Sequence, residues 1–118
     1  MSIKDWRVSL ADIVEAIERI HRYIKGLDRD QFCEDERTQD AVARNLEIMG
    51  EAVRSLPQDI THRYGDVPWS KLAEMRNILV HEYNSVASEL LWRTLLNDIL
   101  PMEARLRAIL NIEDKGHA

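Results

Sequence analysis

The chain has 118 residues, of which 45% are hydrophobic and 31% charged, with only four glycines and three prolines, and this balance excludes a largely disordered protein. Its net charge of −5 argues against a broad basic surface for nucleic acid, so nucleic-acid chemistry here would need a local basic site or one pooled from two subunits. The one cysteine, Cys33, excludes an intrachain disulfide and favours a reducing, cytoplasmic compartment. We expect Cys33 to be a passive residue in a loop.

The first twenty residues carry charges throughout and contain no continuous apolar run. We therefore expect neither a signal peptide nor a segment that crosses a membrane. The length is that of one domain with one hydrophobic core.

Apolar residues at spacings of three and four predict a long amphipathic first helix that ends at a break over residues 25–30. Its apolar stripe is Leu10, Ile13, Val14, Ile17, Ile20 and Ile24. A second helix, from about Asp35, has a stripe typical of a bundle seam, formed by Val42, Leu46, Met49, Val53 and Leu56. Gly50 lies within this helix and predicts a close contact with another helix, since a mid-helix glycine costs about 1 kcal/mol relative to alanine.

A short helical turn is predicted over residues 58–64, before a third helix whose first turn holds Pro68. The third apolar stripe is Trp69, Leu72, Met75 and Leu79. A last helix, capped by Ser85 or Ser88, continues through Leu91, Leu95, Ile99, Met102, Leu106 and Ile109. Pro101 should kink this helix or split it in two. The sequence therefore predicts an all-α, roughly antiparallel bundle of four main helices.

The third helix carries polar residues of unusual kinds within MRNILVHEY, residues 75–83. Arg76 and Tyr83 project from its apolar stripe, so the Arg76 guanidinium needs a carboxylate, a subunit interface or an anionic ligand as its partner. His81 lies about 140° round an ideal helix from Arg76, so the two converge only if the helix ends or distorts near Val80 or if a second subunit completes the pair.

Two interpretations of these residues remain open on spacing alone. In the first, Arg76 pairs with a glutamate of the second helix, with Glu47 and Glu51 the candidates, while His81 is an ordinary residue near a helix end and Tyr83 packs. In the second interpretation these residues form a site.

The motif R-x4-H-x-Y, made by Arg76, His81 and Tyr83 with a polar Asn77 after the arginine, resembles the signature of HepT-like toxins of the HEPN superfamily. RNLEIMGEAV at residues 44–53 and YGDVPW at residues 64–69 resemble segments of the same family in the same order, and Trp92 and Pro101 match in kind. The resemblance covers nearly the whole chain, so we expect residues 1–118 to form a single HEPN-type helical domain.

The resemblance implies a metal-independent endoribonuclease, the toxin of a type II toxin–antitoxin pair, acting on RNA, with tRNA one candidate, at a composite site in a homodimer. It implies no metal and no cofactor. His81 would handle a proton of the reaction, Arg76 would bind the phosphate, and Asn77 would orient His81 or the substrate. Arg37 or Arg44 could also hold RNA if the second helix lines the cleft.

The family further implies a nucleotidyltransferase antitoxin that attaches AMP to Tyr83, which would neutralise Arg76 and switch the enzyme off. Packing at an interface is the alternative role for Tyr83. Two other functions compete with the ribonuclease: a catalytically inactive HEPN module that binds a nucleotide or a protein as a regulatory subunit, and a plain dimeric helical scaffold.

Overall fold

A computed structural model describes residues 5–78 and 85–115, and within these ranges the chain is helical with no strand. Its α-helices are α1 (Trp6–Ile24), α2 (Arg29–Glu34), α3 (Glu36–Arg54), α4 (Gln58–Arg63), α5 (Trp69–Ile78), α6 (Ser85–Thr94) and α7 (Glu103–Lys115). The all-α prediction is confirmed. No helix in the described ranges is long and apolar enough to cross a membrane.

Helix α1 lies between α3 and α7 and runs antiparallel to both. The Ser55 hydroxyl, just beyond α3, donates to the Ser9 hydroxyl near the start of α1 at 2.8 Å. On the other side, Arg107 forms an ion pair with Glu18, and His21 Nδ1 lies 2.9 Å from Glu103 Oε1, so the numbering of α7 falls as that of α1 rises. The apolar stripes of α1, α3, α5 and α7 meet in one core, in which the most buried side chains include Leu10, Ile13, Ile17, Ile20, Leu46, Met49, Leu72, Leu106 and Ile109.

Short polar caps define where the first helices begin. Asp5 caps α1, and Asp35 caps α3 by accepting from the backbone N–H of Thr38. The hydrogen bond from the Thr38 hydroxyl lowers the pKa of Asp35. Gly26, with φ +83°, turns the chain after α1 in the left-handed region where glycine carries no steric penalty.

Helix α2 was not predicted. Asp28 and Gln31 form a reciprocal capping box that starts it, but six residues are too few to show a helical period. Cys33 therefore lies in a helix, and the expectation of a loop was wrong. Burial raises the pKa of the Cys33 thiol, which suits a passive residue.

The last helical segment is split around Pro101, as predicted. Proline has no N–H to donate to the preceding turn. The chain instead widens into a π-helical turn over Leu95–Ile99, where the Leu100 N–H donates to the Leu95 carbonyl, and then tightens into a 3₁₀ turn over Leu100–Met102. Of the two candidate caps, Ser88 lies inside α6, where its buried hydroxyl donates to Gln39 Oε1.

The YGDVPW segment fixes the start of α5. The Trp69 indole N–H donates to the Tyr64 carbonyl at 3.0 Å. The Tyr64 hydroxyl donates to the buried Glu113 carboxylate of α7, and this hydrogen bond raises the pKa of Tyr64. Arg105 binds Asp66 through two nitrogens at 2.7 and 3.0 Å. These contacts hold the segment against α7, and the segment in turn positions the start of α5 so that α5 packs on α3.

Gly50 is a point of close approach between α3 and α5. A Cβ atom placed there would lie 3.0 Å from the Ala73 carbonyl oxygen and 3.0 Å from Arg76 Cβ. The first atom belongs to the α5 backbone and the second is bonded directly to it, so neither can move without shifting α5. The predicted close helix contact is confirmed.

Gly50→Ala should therefore lower the free energy of unfolding by about 1 kcal/mol, because an overpacking cost of about 2 kcal/mol outweighs the gain of about 1 kcal/mol in helix propensity. Chemical denaturation measures this change. Gly65→Ala is the matched control, since its added Cβ would meet only the His62 carbonyl oxygen at 3.6 Å. Equal or higher stability for Gly50→Ala would contradict the packing argument.

Candidate active site

A groove of about 500 Å³ runs over the outer surface of α3, with α1 on one side and α5 on the other. Its lining residues are Asp12, Arg44, Glu47, Ile48, Glu51, Ala52, Ser55 and Arg76. Asp12 comes from α1 and Arg76 from α5, so the groove exists only because three helices pack together. The motif arginine lies at its edge.

Arg76 reaches the groove because Gly50 allows its backbone to lie against α3. Its Nη1 atom is 2.8 Å from Glu51 Oε2, and the two side chains are 42% and 62% exposed. Glu51 was one of the two partners predicted for Arg76, and this pairing is confirmed. The guanidinium is half-exposed at a helix–helix junction, however, and not buried within the apolar stripe, because the groove opens beside it.

A second ion pair lies on α3 itself. Arg44 Nη1 is 3.5 Å from Glu47 Oε2, and the Arg44 side chain is largely exposed. Arg37 and Arg44 were candidates to hold RNA if the second predicted helix, α3, lines the cleft; Arg44 lines this groove, and Arg37 is not among the lining residues. With two arginines and three acidic side chains in the lining, the cations of the groove are matched by carboxylates.

The structure describes only some of the site residues that were predicted from the sequence. Asn77 follows Arg76 on α5 and is exposed, but it is not among the residues that line the groove. His81 and Tyr83 lie outside the described residues, as does Val80, where the helix was expected to end or distort. Within the described ranges, no group of three or more His, Cys, Asp or Glu side chains is placed to hold a metal ion.

Four lining residues were not anticipated from the sequence, namely Asp12, Ile48, Ala52 and Ser55. Asp12 lies on the polar face of α1, and Ile48 and Ser55 belong to the outer face and the end of α3. The sequence pattern of each helix, taken separately, is that of a helix with a solvent-facing surface. It does not indicate that this surface contributes to a groove. Only the order in which the helices pack brings these residues together.

The chain forms an antiparallel all-α bundle with an arginine of an R-x4-H-x-Y motif at an interhelical groove. These features are those of a HEPN-type protein. The family model for HepT-like ribonucleases matches residues 13–109, and the chain belongs to this family.

Relatives of the chain carry related names. A Thermococcus cleftensis protein named "Probable ribonuclease HepT" is 37% identical over 100 residues, which cover 85% of this chain and 91% of that protein. A Caldanaerobacter subterraneus protein named "Putative RNase" is 35% identical over 111 residues, covering 94% and 99% of the two chains.

A Methanocaldococcus jannaschii protein named "Gamma-glutamylcyclotransferase and putative RNase" is 38% identical over 113 residues, or 96% of this chain. The chain spans 51% of the length of that protein. No solved structure matches the chain significantly.

Proposed function

We propose that this protein is a metal-independent endoribonuclease toxin of a type II toxin–antitoxin system, which cleaves RNA at a composite site in a homodimer. Membership of the HepT-like ribonuclease family supports the reaction class. The observation that carries the proposal is the half-exposed Arg76 guanidinium, which lies at the edge of an open groove beside the exposed carboxylate of Glu51.

Arg76 would bind the scissile phosphate. A guanidinium stays charged at any physiological pH, and its planar fork matches two phosphate oxygens. In RNA cleavage without metal, the 2′-hydroxyl attacks the adjacent phosphorus and the 5′-oxygen of the next nucleotide leaves, so negative charge builds on the phosphate oxygens. Arg44, on the same groove, supplies a second cation for the RNA backbone.

His81 would handle the proton in this reaction. Imidazole exists in both protonation states near neutral pH, so it can take the proton of the 2′-hydroxyl or deliver one to the leaving 5′-oxygen. Asn77, four positions before His81, would orient the imidazole or the substrate. We propose no metal ion or cofactor for either step.

Two copies of the chain would complete the site. On a continuous helix Arg76 and His81 diverge by about 140°, so one subunit alone would not direct both at one phosphate. The described residues that line a single groove also have no excess of positive charge to hold RNA. A twofold axis would set the motifs of two subunits against each other and pool their cations.

The direct test is inducible expression of the protein, followed by purification and incubation with RNA in EDTA. We expect arrested growth, new RNA ends in the cell, and cleavage by the purified dimer that EDTA leaves unchanged. Light scattering measures the oligomeric state. Cleavage that stops in EDTA and returns with Mg²⁺ would overturn metal independence, and a monomer with full activity would overturn the composite site.

Tyr83 would be the regulatory residue in this scheme, modified with AMP by a nucleotidyltransferase antitoxin. An AMP phosphate beside Arg76 would neutralise the guanidinium that RNA needs. The buried Tyr64 is a poor acceptor, because its hydroxyl is already bonded to Glu113, whereas Tyr23 is 39% exposed.

The same expression experiment reads out the modification. Coexpression with the nucleotidyltransferase should restore growth and add the mass of AMP to the peptide that contains Tyr83. The mass increment on the peptide of Tyr23 instead would move the regulatory site.

A further inference from the structure

Glu51 is the carboxylate partner of Arg76 within the described part of the chain. The contact joins one guanidinium nitrogen, Nη1, to one carboxylate oxygen, Oε2, at 2.8 Å. This closest contact uses one nitrogen of a guanidinium that carries five N–H donors. A guanidinium held in this way keeps most of its donors for another anion.

The position of Glu51 follows from the packing at Gly50. Because α5 lies against α3 at Gly50, the next residue of α3 carries its carboxylate to the Arg76 side chain at the groove. The same packing places the Arg76 backbone, so the positions open to the guanidinium are those that rotation of its own side chain allows. Glu51 selects one of these positions in the protomer without RNA.

The exposure of the pair decides what an incoming phosphate meets. Both side chains are well exposed, and ion pairs of this kind are weak and screened by salt. A phosphate diester offers the guanidinium two oxygens in the planar geometry that it prefers. The phosphate and the Glu51 carboxylate are both negatively charged and repel each other. Arg76 therefore exchanges one partner for the other when the phosphate binds.

We infer that Glu51 is a positioning residue, which occupies the Arg76 guanidinium before RNA binds and therefore competes with the RNA phosphate for it. This inference rests on the proposed ribonuclease function. It assigns to Glu51 an effect on substrate affinity that acts through Arg76 and not through the chemical step.

Glu51→Gln tests the inference, because the amide keeps the shape of the side chain and removes its charge. We expect KM for RNA, and Kd for an RNA with 2′-O-methyl riboses that cannot be cleaved, to fall about two- to fivefold, with kcat unchanged. The thermal unfolding midpoint should stay the same. Glu74→Gln, an exposed glutamate of α5 that does not line the groove, is the control and should change neither constant.

The effect must disappear when Arg76 is absent. In an Arg76→Ala background, Glu51→Gln should leave Kd for the methylated RNA unchanged. Tighter binding in that background would show general charge repulsion and overturn the role through Arg76, as would an unchanged or higher Kd in the single variant. If the unmodified protein binds the methylated RNA but never cleaves RNA, the ribonuclease proposal fails and the binding data still decide the role of Glu51.

Discussion

Replacing Arg76 by alanine is expected to reduce RNA cleavage by about 10²–10³-fold, the usual loss when one preorganised donor to a developing oxyanion is removed. The guanidinium stands at the groove edge with only Glu51 as an ionic partner among the described residues. Its removal leaves an exposed carboxylate that water can solvate, so the fold should keep its stability. Cleavage rates and thermal unfolding of the same purified samples measure both effects.

Two further variants make the Arg76 result specific. Arg37→Ala removes an exposed arginine of α3 that does not line the groove, and it should leave cleavage within about twofold of the original rate, as surface changes usually do. Arg76→Lys keeps the charge but loses the planar fork and should retain only part of the activity. Full cleavage by Arg76→Ala would remove the basis of the proposed site.

Replacing His81 by alanine should lower the cleavage rate by about 10²–10⁴-fold, the contribution usual for a general acid or base. The reason is chemical: without imidazole, water must accept or supply the proton that moves during the attack or the departure of the leaving oxygen. Growth inhibition should disappear with the cleavage. Dimerisation and helicity, measured by light scattering and circular dichroism, should be unchanged.

His62→Ala is the matched control, because His62 is an exposed residue of α4 away from the groove. It should leave the toxicity of the protein intact. The pH dependence of kcat adds a second measure, since a titrating imidazole gives a limb near neutral pH that His81→Ala should lose. If both His81→Ala and Arg76→Ala stay toxic, the inactive HEPN module or the helical scaffold becomes the better description.

Most of the helical core could be predicted from periodicity. The buried positions of α1, from Leu10 to Ile24, recur at the spacing that a helix needs to bury one face, and a 19-residue helix repeats this spacing several times. Pro101 was equally informative, since a missing N–H has the same consequence in any helix. These features follow from residues that lie close together in the sequence, so the sequence alone predicts them.

The site was less predictable because it depends on distances between helices. Glu47 and Glu51 looked alike in the sequence, and only the close approach at Gly50 makes Glu51 the partner of Arg76. The exposure of the Arg76 guanidinium and the entry of Asp12 into the groove likewise follow from packing. Helix α2 was also not predicted from the sequence. It has six residues and one buried side chain, Phe32, which is too few to show a helical periodicity.

The widened turn at Leu95–Ile99 makes the number of residues between α6 and α7 critical. Deleting one residue there would not restore a regular helix, because Pro101 would still lack an N–H, and a shift of α7 by one residue would turn its buried face by about 100°. Leu106 and Ile109 would then face water, and Arg105 would lose its alignment with Asp66. Insertions and deletions in this stretch should therefore be tolerated less well than substitutions, although several of its side chains are exposed.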